Sequence, residues 1–171
     1  MKKILLILII ITTIQAQIVS VPYVNMQKFS GLWYEIARTY NSYQKKCVGS
    51  SVEYKLVDTL EYKVFNRCFD TVLDGELIEY EGVATPSKGK SISSLDMTYF
   101  WIFTKTYSIY YLEGDYSYAV VADKDFEQVW IMSRNPTMPK EKLEEILAYI
   151  NKSMDISKLI YTPQDKEGKY K

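Results

Sequence analysis

The most informative absence in this chain is histidine, which does not occur once among its 171 residues. Histidine is the commonest general base, the usual zinc ligand and the proximal ligand of globin haem. Its absence excludes a Ser-His-Asp triad and a Cys-His pair, although it leaves other catalytic chemistry open. The commonest catalytic and metal-binding side chain is thus missing, and we predict a protein with no catalytic residue, no metal and no cofactor.

The chain also lacks an excess of charge of either sign, with 21 Lys and Arg against 21 Asp and Glu. Without a surplus of basic residues, nucleic acid is not an expected partner. The hydrophobic share of 47% and the charged share of 25% are ordinary for a globular protein. A chain of this length suits one domain with a single core.

The first 16 residues have the features of a secretory signal peptide. Lys2 and Lys3 precede an apolar run over 4–11, and Ala16 offers a small side chain for cleavage. The run is short for a bilayer span, and the alternative is an uncleaved anchor. We expect cleavage near Ala16 and a secreted, extracellular protein. The single domain should cover 17–171, with a loose tail over 162–171.

Alternating strands, separated by short links, account for most of the remaining sequence. Tyrosine, present in 16 copies, favours strands, and Asp74-Gly75 marks a tight turn. We predict strands over 33–40, 51–57, 62–69, 77–84, 93–103, 107–112, 116–122 and 129–134. Hairpin-length links of this kind indicate an all-β protein, an eight-stranded antiparallel up-and-down β-barrel without exposed edges.

The periodicity changes after the last of these strands. Leu143, Ile146, Leu147 and Ile150 follow helical spacing and form one apolar stripe. We predict one C-terminal helix that packs on the outer wall of the barrel, followed by a last short strand over 156–161. The alternative is a helix that binds a membrane surface or a partner.

Two stretches near opposite ends of the strand-rich region contain an aromatic and a basic residue that could contact each other, Trp33 in the first and Arg134 in the second. Gly31-Leu32-Trp33 leads into the first strand, and the last strand runs from Val129 to Arg134. A guanidinium that covers the Trp33 indole would join the two strands and contribute about 0.5 to 2 kcal/mol. The alternative is two unrelated strands with ordinary core aromatics.

These two stretches resemble the first and third signature regions of the lipocalins, in particular the apolipoprotein D and bacterial outer-membrane branch. The resemblance covers about 25–163. It implies a barrel that carries a small hydrophobic ligand, such as a fatty acid, a lysophospholipid or a sterol-like lipid. It also assigns Gly31, Trp33 and Arg134 to structural closure of the barrel floor. We expect a monomer or weak dimer with transient membrane contact.

Cys47 and Cys68 are the only cysteines. A hairpin would bring both to the same end, and an oxidising destination favours a disulfide. Many lipocalins instead join the cysteine at the position of Cys47 to a cysteine in the C-terminal tail. The tail of this chain contains no cysteine. The alternative is a free Cys47 at the barrel mouth, similar to the nucleophile of a lipocalin isomerase. That would make the protein a thiol-dependent lipid isomerase or a peroxide scavenger.

Alternation and the resemblance together predict which side chains face the barrel interior and contact the ligand. The predicted ligand-binding residues are Tyr54, Val64, Asn66, Tyr80, Met97, Tyr99, Ser108, Tyr110 and Trp130. They would form a mainly apolar pocket without cations, in which an acyl chain binds by burial. Glu35 is expected to point inward near the floor, where it needs a partner. The alternative is a barrel filled by its own aromatics.

Overall fold

Antiparallel strands form most of the structure, a computed structural model that describes residues 18–87 and 92–170. The predicted leader lies outside the described residues. The chain order is α1 (Met26–Phe29), β1 (Gly31–Arg38), β2 (Cys47–Asp58), β3 (Glu61–Asp70), β4 (Leu77–Pro86), β5 (Ser94–Tyr99), β6 (Phe103–Leu112), β7 (Tyr118–Ala122), β8 (Val129–Ser133), α2 (Lys140–Ile150) and β9 (Ile160–Tyr161). Single 3₁₀ turns lie at Ser42–Gln44 and Ile156–Lys158.

The sheet closes on itself because β1 has neighbours on both sides. From β2 to β8 each strand pairs with the next in sequence, and β1 pairs with both β2 and β8. A register shift between Glu35 and Ala37 bends β1 where it meets β8. The predicted eight-stranded antiparallel barrel is therefore confirmed, and β9 adds a short pairing to the end of β1.

The closed end of the barrel is built around Trp33, which is fully buried. The Arg134 guanidinium lies 3.7 Å from the centroid of the indole ring. It also donates hydrogen bonds to the backbone oxygens of Leu32 at 2.7 Å and Lys28 at 2.8 Å. Gly31 has φ +93°, and a Cβ there would lie 3.4 Å from the guanidinium, so a larger residue would be strained. The predicted contact between the two signature stretches is present.

Helix α2 packs on the outer wall of the barrel, as the apolar stripe predicts. Ile146 and Ile150 are fully buried against Val120 and Ile131, whose side chains point outward from β7 and β8. The sheet is thus buried on both faces here. Among residues 18–87 and 92–170, no helix is long and apolar enough to cross a membrane.

The predicted fifth strand is wrong in its extent. Instead of one strand over 93–103, the chain turns at Phe100 and Trp101 and begins β6 at Phe103. Both turn residues have positive φ, 50° and 66°. Such turns normally use Asn-Gly, so an unbroken aromatic run gave no turn signal.

The described part of the C-terminal tail packs against the barrel, whereas we expected it to be loose. The Gln164 side chain donates hydrogen bonds to the backbone oxygens of Glu35 and Ser50 at 2.8 and 2.7 Å. The Tyr170 ring stacks on Phe69. These polar and aromatic contacts carry no periodic signal, so the sequence did not indicate docking.

Removing the Arg134 side chain should destabilise the barrel. Arg134→Ala would leave the carbonyl oxygens of the floor without their charged donor and uncover Trp33, at a cost of about 3 to 5 kcal/mol in the free energy of unfolding. Arg134→Lys should recover less than half of the loss, since an ammonium cannot stack and donate in the same way. Urea unfolding of the three proteins measures this, and a loss below about 1 kcal/mol in Arg134→Ala would contradict it.

Candidate ligand-binding site

An internal cavity of about 490 Å³ occupies the barrel above Trp33. Phe29 of α1 and Tyr54 of β2 line its lower end, where their rings lie 5.2 Å apart. Its opposite end lies among Tyr43, Phe100 and Phe103, all of which are exposed. This volume falls within the range of small-molecule pockets, and the barrel is therefore not filled by its own aromatics.

The structure places most of the predicted ligand-binding residues around this cavity. Six of the nine line it: Tyr54, Asn66, Tyr80, Met97, Tyr99 and Trp130. Val64 also points inward, but it is fully buried in the packed core and does not line the cavity. That these six bind a ligand stays a prediction.

The predicted orientation of Ser108 and Tyr110 is wrong. Tyr110 packs outside the barrel, with its ring 4.5 Å from Phe126, and Ser108 hydrogen-bonds to Ser94 at 2.6 Å. Tyr107 and Ile109 line the cavity instead, so the assigned alternation was out of phase by one residue. Because helix α2 covers the outer face of β6, aromatic residues occur on both faces of this strand. The polarity of its residues therefore does not show which face points inward.

Polar groups in the cavity are mostly paired with one another. The Asn66 amide donates to the Tyr99 hydroxyl at 2.7 Å, and the Tyr107 hydroxyl donates to Gln128 at 2.6 Å. Burial raises the pKa of Tyr99 to about 12, against the opposing effect of the Asn66 hydrogen bond, and it also raises the pKa of Tyr54. These phenols therefore remain neutral at physiological pH.

A cation lines the cavity, contrary to our expectation. Lys105 lies two residues after Phe103 on β6, and its ammonium group donates to the Asp123 carboxylate at 2.8 Å. The Lys105 side chain is 45% exposed, whereas that of Asp123 is 8% exposed. The misplaced turn hid this residue, because with the predicted strand limits Lys105 fell in a link between strands.

A buried ion pair lies in the wall of the same cavity, between Glu35 and Arg38 of β1. The two side chains are 3.3 Å apart, and both residues are about 4% exposed. The register shift between Glu35 and Ala37 lets residues three apart face the same side. The carboxylate also accepts hydrogen bonds from the Thr162 hydroxyl and from Gln44, the latter at 2.7 Å. Glu35 thus has the partners that its burial requires.

The pKa of the Glu35 carboxyl is raised above its ordinary value of 4.5. Burial is the largest cause, and it outweighs the opposing effects of the Arg38 charge and of the hydrogen bonds from Thr162 and Gln44. The folded protein therefore favours the protonated carboxyl more than the unfolded chain does.

Comparison with known proteins agrees with this geometry. Residues 24–164 match the family described as the lipocalin-like domain. The chain belongs to the lipocalin family. This lipocalin is 30% identical to apolipoprotein D of Bos taurus over 152 residues, which cover 82% of this chain and 77% of the relative. It is 29% identical to the outer membrane lipoprotein Blc of Vibrio cholerae over 141 residues, covering 81% and 82%.

Solved structures show the same fold. Insecticyanin from the tobacco hornworm Manduca sexta superposes with a TM-score of 0.71 at 19% identity, covering 90% of this chain and 87% of the other. Lobster apocrustacyanin A1 superposes with a TM-score of 0.67 at 25% identity, covering 85% and 83%. Lipocalins bind small hydrophobic ligands and are generally not enzymes.

Both cysteines of this lipocalin are used in a disulfide between Cys47 and Cys68, with Cα atoms 5.3 Å apart. The predicted pairing is present, and it engages the sulfur that the alternative enzyme would need as a nucleophile. Within the described residues, no group of three or more carboxylate or thiol side chains is arranged to hold a metal ion.

The Glu35 carboxyl predicts a pH dependence of stability. Because the pKa of Glu35 is higher in the folded protein than in the unfolded chain, protonation of this carboxyl stabilises the fold fully at a pH below the ordinary pKa of 4.5. That stabilisation is lost as the pH rises through the pKa of the folded state. The slope reaches at most about 1.4 kcal/mol per pH unit. Glu35→Gln stays neutral, so its free energy of unfolding should rise relative to the wild type over this range, as urea unfolding in a pH series would show.

Glu76→Gln, at an exposed position between β3 and β4, controls for the general effect of removing a carboxylate. A Glu35→Gln protein that instead loses stability relative to the wild type as the pH rises would contradict the prediction. It would mean that the attraction of Arg38 exceeds the cost of burying the charge.

Proposed function

We propose that this lipocalin is a secreted carrier that binds one single-chain lipid, such as a fatty acid, inside the barrel. The cavity above the packed floor carries this proposal, because it is mainly apolar and has aromatic residues at its entrance. Burial of each methylene contributes about 0.8 kcal/mol, so affinity should rise up to about fourfold per added CH₂ until the cavity is full.

The orientation of the ligand follows from the charges. The lower end, at Phe29 and Tyr54, holds rings and neutral hydroxyls, and burying a carboxylate there would be costly. Lys105 lies on the strand that starts at the entrance and retains solvent contact beside Asp123. We infer that the acyl chain occupies the lower cavity and that the polar head lies near Lys105.

The rival functions lack comparable support. A thiol-dependent isomerase or peroxide scavenger needs a free Cys47, which the disulfide occupies. A partner-binding protein with a plugged barrel would have no cavity of about 490 Å³. Lipid carriage fits both features.

Displacement of a fluorescent fatty acid from the purified mature protein tests the proposal. We expect saturable binding of one ligand per chain. Trp130→Ala should weaken uptake about tenfold, because the Trp130 indole lines the cavity and donates to Gln44 at 3.1 Å. Trp33→Ala should instead mainly lower the free energy of unfolding, by about 3 to 5 kcal/mol.

Comparison of a fatty acid with the matching fatty alcohol tests where the head group of the ligand lies. Lys105→Gln should weaken binding of a fatty acid about two- to fivefold and leave the matching fatty alcohol unchanged, since the ion pair is partly exposed. Absence of saturable binding by any single-chain lipid would refute the proposed function. Equal loss for acid and alcohol would refute only the placement of the head group.

A further inference from the structure

The turn between β5 and β6 exposes four consecutive apolar side chains, Phe100, Trp101, Ile102 and Phe103, which we name the aromatic tip. Trp101 is 96% exposed and Ile102 74%, while the two phenylalanines are 58% and 60% exposed. Large apolar residues that cluster on a surface indicate an interaction site, whereas single ones do not. The aromatic tip is therefore a candidate contact surface.

The backbone of the aromatic tip adopts a conformation that its large side chains disfavour. The Ile102 N–H donates to the Tyr99 carbonyl oxygen at 3.3 Å, and the two residues between them have positive φ. Bulky side chains are sterically disfavoured in this region of φ, whereas glycine is not. Placing Phe and Trp here sacrifices local stability, which indicates a role for the exposed rings.

The aromatic tip is continuous with the entrance of the cavity. Three of its four residues, Phe100, Ile102 and Phe103, also line the cavity, and the Phe100 ring contacts Tyr80 with centroids 6.2 Å apart. Tyr43, on the neighbouring loop between β1 and β2, is likewise exposed and lines the cavity. An apolar molecule that enters or leaves would pass this surface.

The charges near the aromatic tip are compatible with a lipid surface. The segment 97–112 contains no carboxylate, and its one charged residue is Lys105. Exposed charges of both signs lie on the three other loops at this end of the barrel: Lys45 and Lys46 between β1 and β2, Asp74 and Glu76 between β3 and β4, and Lys124, Asp125 and Glu127 between β7 and β8. With charges of both signs present, insertion should depend mainly on the apolar side chains and only weakly on anionic lipid.

We propose that the aromatic tip inserts into the interfacial layer of a lipid bilayer and places the cavity entrance against the membrane. Tryptophan prefers this layer, since its ring is apolar and its N–H stays near water. A second copy of the chain is a poorer occupant, because a stable dimer needs about 20 to 30 residues from each side. The aromatic tip offers four.

Cosedimentation of the ligand-free mature protein with phosphatidylcholine vesicles tests the proposal. We expect the wild type to bind and its tryptophan emission to shift to the blue, because Trp101 is exposed, whereas Trp33 is fully buried and Trp130 lines the cavity. The shift should therefore be lost in Trp101→Gly, which retains the other two tryptophans. Trp101→Gly suits the positive φ of that position and should keep the fold, yet bind vesicles about tenfold more weakly. Trp101→Phe should restore most of the binding.

Leu60→Asn provides a matched control, since Leu60 is 53% exposed on the turn between β2 and β3, at the opposite end of the barrel. Its vesicle binding should equal that of the wild type. Equal vesicle binding by the wild type and Trp101→Gly would overturn the proposal. A blue shift that depends on protein concentration without vesicles would overturn it in favour of a second copy.

Vesicle binding is measured without any cavity ligand, so its outcome is independent of the proposed lipid carriage. A protein that binds fatty acid in solution but fails to bind vesicles would refute only the membrane contact. Vesicle binding without fatty acid uptake would refute only the carrier function.

Discussion

The stacking of Arg134 on Trp33 joins the last strand of the barrel to the first and forms the packed floor. Its guanidinium donates to the backbone oxygens of Lys28, before β1, and of Leu32, within β1, so the end of β8 is fixed to the start of the first strand. Burial lowers the pKa of Arg134 to about 10, which leaves it charged at neutral pH. Because the described residues fill this end, the cavity above it opens toward the other end, among Tyr43, Phe100 and Phe103.

The floor could be predicted because Gly31, Trp33 and Arg134 lie in stretches that resemble the signature regions of the lipocalins. The strand count could be predicted because most turns contain residues that favour them. The alternation of β6 could not be predicted, because α2 buries its outer face and both faces carry aromatic side chains. The turn at Phe100 and Trp101 was missed for a different reason, since nothing in its composition favours a turn.

The polar chemistry of the cavity depends on pairings that the sequence does not show. Lys105 meets Asp123 only because β6 and β7 are neighbours. Glu35 meets Arg38 on one side of β1 only because a register shift interrupts the alternation. The tail contributes Thr162 to the same network from 127 residues away. Binding faces could thus be predicted from alternation in part, whereas the charges that orient a ligand required the tertiary structure.

In the complex that we propose, the barrel holds an acyl chain above the Trp33 floor, with the head of the lipid near Lys105. The most direct measurement is a crystal structure with a fatty acid brominated at its methyl end, located by anomalous scattering. We expect one bromine peak inside the barrel near Phe29 and Tyr54, with the carboxylate toward Lys105. A bromine peak at the entrance or outside the barrel would contradict it.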